Sequence, residues 1–103
     1  MKILELKNGS VDVSKIEEYN KLQQQLKGLR KRLQCVTGNE FNCEYFKLGD
    51  YSSSSAWENR EYIILRKDNI SEMKLKQEII DFLTIKFIEQ INEVISKINE
   101  MIV

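Results

Sequence analysis

The stretch KGLRKRLQ, residues 27–34, carries four cations in a chain whose formal net charge is zero. No Asp or Glu occurs between Glu18 and Glu40, so Lys21, Lys27, Arg30, Lys31 and Arg32 stand without a counter-charge nearby in sequence. Such groups can hold phosphate or carboxylate, Arg through its planar fork and Lys as a point charge. A second candidate surface is Tyr51-Ser52-Ser53-Ser54-Ser55-Ala56-Trp57, followed by Arg60 and Tyr62. Tyr and Trp offer large amphipathic contact area and serines offer donors without bulk, the combination that recognition loops use. The same aromatics can stack on a base-bearing ligand. Both stretches also have plainer roles. The cations suit the wet face of a helix whose last turns favour positive charge, and Trp57 can pack back onto its own segment.

Catalytic chemistry is poorly provided for. Without a His there is no ordinary triad base and no imidazole metal ligand. The glycines, at 9, 28, 38 and 49, make neither a P-loop nor a dinucleotide fingerprint. Glu58 and Glu61 could pair as acid and base, but solvated carboxylates serve as well. Cys35 and Cys43 are eight positions apart. A zinc site needs about four ligands, so two protomers would have to combine their thiols, whereas small core filling needs no partner. The expectation is a protein that is not an enzyme, with no cofactor and no metal.

The composition sets further bounds. At 103 residues the chain is expected to be one domain with a modest core, for which oligomerisation is an added source of burial. Ile, Lys and Asn make up 33 of the residues, the bias of an AT-rich genome such as that of a low-GC bacterium or its phages. Balanced charge argues against a general nucleic-acid or membrane-surface protein. The charge is unevenly placed, however, at +5 over residues 19–39 and −2 over residues 70–103. MKILELKNG lacks the apolar region of a signal peptide, and IIDFLTIKFI is interrupted by Asp81 and Lys86. The expected location is cytoplasmic, away from membranes.

These candidates must be positioned by a small set of elements. Residues 2–7, KILELK, read as a strand or extended arm closed by the turn pair Asn8-Gly9. Ser14-Lys15-Ile16-Glu17 matches a capping box and predicts a helix over 14–37. Along it Tyr19, Leu22, Leu26, Leu29, Leu33 and Val36 recur at alternating spacings of three and four, a heptad seam. Gly38 is placed to end this helix in the left-handed conformation. Residues 40–66 read as a β-hairpin with a mobile tip at 50–57, since EFNCEYFKL and NREYIILR are aromatic and β-branched. Lys67-Asp68-Asn69 is a turn, and Asn69 with Glu72 is a second capping signal. A second helix is predicted over 70–102, about 15 Å longer than the first.

The fold expected is α+β, mainly α. It comprises an N-terminal short strand and two antiparallel coiled-coil-like helices joined by a β-hairpin, assembled as a dimeric helical bundle, with a higher homo-oligomer as the alternative. The reason for a dimer is the stripe Ile88, Ile91, Ile95, Ile98 and Ile102, broader than its shorter mate needs and expected to form a homotypic interface. In the antiparallel pair, Glu72, Glu78 and Asp81 are expected near the cations of the first helix. The functional expectation is a small non-enzymatic binding protein of phage or mobile-element type, an inhibitor or adaptor that occupies a cytosolic protein partner stoichiometrically. Lys27, Arg30, Lys31, Arg32, Tyr51, Trp57, Arg60 and Tyr62 are its candidate contact residues. Two other readings remain open: an oligomer that sequesters a nucleotide or other phosphorylated small ligand, and nucleic-acid binding through the basic patch.

Overall fold

The computed structural model describes residues 2–38, 45–49 and 62–103, and these are mostly helical. The long helices are α1, Ile16–Thr37, and α2, Ile70–Met101. Between them in sequence, strand β1 (Tyr45–Gly49) pairs antiparallel with β2 (Tyr62–Arg66), with Tyr45 opposite Arg66 and Gly49 opposite Tyr62. What joins these two strands, including the predicted tip at 50–57, lies outside the described residues.

The apolar seam of α1 faces α2. Leu22, Leu26 and Leu29 form one core cluster with Ile91, Val94, Ile95, Ile98 and Met101, and Tyr19, Leu33 and Phe87 pack against it half-buried. At the other end, Val36, Thr37 and the capping Gly38 line one hollow with Met73, Lys76, Gln77 and Ile80, so the two helices run antiparallel. Period 3.6 puts these residues on one face, and burial of that face is the main stabilising term.

The two long helices start differently, α2 with a side-chain cap and α1 without one. α2 begins at Asn69, whose carboxamide oxygen accepts from the Glu72 N–H at 3.1 Å. Glu72 does not return the bond to Asn69, as a reciprocal box would. It accepts instead from the Arg66 N–H at 2.9 Å and so ties the end of β2 to the first turn of α2. The predicted Ser14 cap of α1 is replaced. Ser14 lies inside a 3₁₀ turn, Val13–Lys15, and its N–H donates to Asp12 Oδ1 at 3.1 Å. Asp12 caps that tighter turn, and α1 itself starts after Lys15 with no side-chain cap.

The bonds to Ser14, with the nearby Lys15 charge, hold the Asp12 carboxyl below its usual 3.8. A folded-state pKa below the unfolded one contributes stability that is complete above the unfolded value and lost as pH falls through the folded one. Acidification from about pH 5 to about pH 2 is therefore expected to lower the urea midpoint more for the wild-type chain than for Asp12→Asn. Equal acid slopes in the two would show that Asp12 is not a titrating contributor.

Gly38 also differs from expectation. It is extended (φ −89°, ψ −176°) rather than left-handed, and its N–H donates to Gln34 O. Its lack of a side chain matters through proximity, since a Cβ there would lie 2.6 Å from the Gln34 carbonyl oxygen.

Two larger corrections concern the N-terminus and the isoleucine stripe. Residues 2–8 form no strand. They are an extended arm beside α2 whose main-chain groups bond to asparagine side chains, which removes the need for a neighbouring strand. Ile91, Ile95 and Ile98, expected at a homotypic interface, are fully buried within one chain. Ile102, also assigned to that interface, packs half-buried on the same cluster and bridges to Val11. The arm and α1 together cover this end of α2, so the length mismatch is resolved there inside the chain. The large apolar side chains left exposed on α2 lie in its first half: Ile70, Leu75, Phe82 and Ile85.

Candidate anion-binding face and asparagine clamp

Lys27, Arg30, Lys31 and Gln34 recur at i, i+3, i+4 and i+7 on α1, which places them in adjacent rows about 5–6 Å apart at Cβ. With Gln23, Gln24 and Leu26 they line a shallow groove of about 460 Å³. Arg32 lines a neighbouring one of about 450 Å³ with Gln24, Gln25, Gly28 and Leu29. All four cations are exposed, as is Lys21. The face exists because the seam uses one side of α1 for the core and leaves Gln, Lys and Arg on the others.

Among the described residues, the acids of α2 expected near these cations form no ion pair with them. Glu72 is engaged with Arg66, and Asp81 Oδ1 accepts from Gln77 Nε2 at 2.9 Å. Lys86 pairs with Glu89 and Lys97 with Glu93, both along α2; among the described residues no ion pair joins the α1 cations to that helix. Asp81 is thus bonded within its own helix and Glu72 to the end of β2. An uncompensated row of ammonium and guanidinium groups, interleaved with amides, can hold an anion by charge-assisted hydrogen bonds.

The second candidate surface is not brought to this face by anything described. Tyr62 opens β2 opposite Gly49. Tyr51, Trp57 and Arg60 lie outside the described residues, as do Cys43, Glu58 and Glu61. Among the described residues no cluster of His, Cys, Asp or Glu is placed to hold a metal ion, and no helix is long and apolar enough to cross a membrane.

Sequence reasoning missed the residues that hold the arm. Asn92 Oδ1 accepts from the Leu4 N–H at 2.8 Å while its Nδ2 donates to Lys2 O at 2.9 Å. Asn99 repeats the pattern three residues along the arm, accepting from the Lys7 N–H at 2.8 Å and donating to Glu5 O at 3.0 Å. The signal was present as a tripeptide, Ile-Asn-Glu, that occurs at 91–93 and again at 98–100. In each copy Ile is fully buried, Asn grips the arm and Glu is exposed. A heptad repeat of an amide beside a core isoleucine marks a row flanking the seam that a second element can use.

No family model, curated protein or solved structure matches this chain.

Proposed function

We propose that the protein is a small non-catalytic binding protein of the kind that phages and mobile elements carry, acting as an inhibitor or adaptor by stoichiometric occupation of a cytosolic partner. In this reading the helices form a coiled-coil-like pair linked by a β-hairpin, two chains associate, and each presents the basic face of α1 to an acidic protein surface. The supporting observation is the row Lys27, Arg30, Lys31 and Arg32, exposed and without an ion pair among the described residues. Charges that stabilise only a fold are commonly compensated locally, and a row left open favours an anionic partner through complementarity and faster encounter.

The test is affinity capture with the wild-type chain and with Lys27→Glu/Arg30→Glu/Lys31→Glu. The wild-type bait is expected to retain one protein at stoichiometric ratio, with an association that weakens as salt rises. The reversed variant is expected to lose it by at least about tenfold, since like charges across an interface repel. Equal retention by both baits would remove the face from the function. The groove beside Lys27, Arg30 and Lys31 also favours the nucleotide reading to a lesser degree. A thermal shift with nucleotides that inorganic phosphate does not reproduce would select that reading instead.

A further inference from the structure

We propose that Asn92 and Asn99 form a clamp that reads peptide main chain and whose occupant is exchangeable, so that the arm of a second copy of this chain seats there in place of the chain's own arm. The proposal rests on the two-chain part of the reading above and names the element that is exchanged.

The clamp recognises backbone. Each carboxamide spans a single residue, Ile3 for Asn92 and Leu6 for Asn99, donating to the carbonyl before it and accepting from the N–H after it. That is the pair of bonds one residue of a parallel strand would supply. The spacing fits an extended occupant without distortion. Seven helical residues from Asn92 to Asn99 rise about 10.5 Å, and three extended residues cover about 10 Å. The side chain that adds apolar contact is Leu6, half-buried against the core cluster. Every copy of the chain carries an arm with these same groups, so an identical segment is certain to fit.

The attachment of the arm is suited to release. Its four bonds to the clamp are exposed, and Ile3 and Leu4 remain 44% and 47% exposed. Beyond the clamp the chain is pinned again, where Val103 N–H donates to Ser10 O at 3.0 Å and Val11 bridges to Ile102. Between these fixed points stand Asn8 and Gly9, a two-residue hinge. Exchange of an identical element across a short hinge is a low-cost route to a dimer.

Exchange by itself replaces like with like, so a second copy must add something. Ile85 stands seven residues before Asn92, in the same row of α2, and Phe82 is one turn further back. These two and Ile3 and Leu4, on the arm where Asn92 holds it, are large apolar side chains 44–60% exposed. Large apolar side chains left in water gain by burial against a second chain. In the exchanged pair their mutual burial is the surplus that favours two chains over one.

The experiment is a complementation between two full-length chains, one with a disabled arm (Leu6→Asp) and one with a disabled clamp (Asn92→Ala/Asn99→Ala). Each is expected to sediment alone as a helical monomer. Mixed at up to about 1 mM, where linked and free docking compete, they are expected to form a 1:1 heterodimer, because only the mixture holds an intact arm and an intact clamp. A mixture that stays monomeric overturns the proposal, and so does a clamp-disabled chain that dimerises alone. Should either chain lose its circular-dichroism helix signal, deletion of Asn8 decides. With the hinge too short to dock its own arm, that variant is expected to dimerise, and a monomer overturns the exchange. The Lys27→Glu/Arg30→Glu/Lys31→Glu chain should exchange like wild type, which separates this outcome from failure of the basic-face reading.

Discussion

Replacing Ile95 by Ala is expected to destabilise the protein by about 2–5 kcal/mol, since it deletes buried methyl groups and leaves a cavity between packed helices. Ile95 is fully buried within a cluster that includes Leu26, Ile91 and Ile98, each at most 1% exposed. Against a total stability of about 5–15 kcal/mol for a domain of this size, that loss is large. Ile70→Ala is the natural comparison, because Ile70 is 90% exposed, and surface changes of that kind usually stay within about 0.5 kcal/mol. Urea denaturation followed at the helical band gives both values. The concentration dependence is equally informative. A residue covered by its own chain loses the same stability at any protein concentration, whereas one covered by a second chain does not. An Ile95→Ala cost that shrinks with dilution, as the chains separate, would return this stripe to a subunit interface.

Gly9→Ala should release the N-terminal arm, at a cost of about 1–3 kcal/mol from overpacking and an unfavourable backbone angle. Gly9 has φ +156°, where L side chains are rare, and a Cβ there would lie 2.5 Å from Ile102 Cγ2 and 2.8 Å from Val103 O. The conformation is needed because the chain must turn within two residues from the clamp at Lys7 to the contact between Ser10 and Val103. Hydrogen exchange reads the result residue by residue. The Leu4 and Lys7 amides, which donate to Asn92 and Asn99, are expected to lose protection while those in the middle of α1 and α2 keep theirs. Unchanged protection at both amides would mean that the turn at Gly9 does not hold the arm.

Much of this structure is written in local sequence. The alternation of three and four from Tyr19 to Val36 marks the face of α1 that is buried, because helical period alone decides which side chains share a side. The acid-free run around Arg30 determines that the opposite side is basic, and Asn69 determines where α2 begins, since a cap needs only a neighbour three residues away. None of these depends on a distant part of the chain.

Tertiary structure decided what covers each apolar face. Hydrophobic burial is non-directional, so the isoleucine stripe of α2 is satisfied equally by a second chain or by its own arm, and its pattern is the same in both cases. Here the arm and α1 close the end at Ile91, Ile95 and Ile98, while Phe82 and Ile85 stay exposed. The hydrogen bonds that place the arm join residues 88 to 94 positions apart, a separation that leaves no local propensity to read. Asn92 and Asn99 look like ordinary polar positions until the backbone they grip is beside them, and only the folded chain shows that the ion pairs of α2 run along that helix rather than to the α1 cations among the described residues. Periodicity says which residues face inward; only the folded chain determines what they meet.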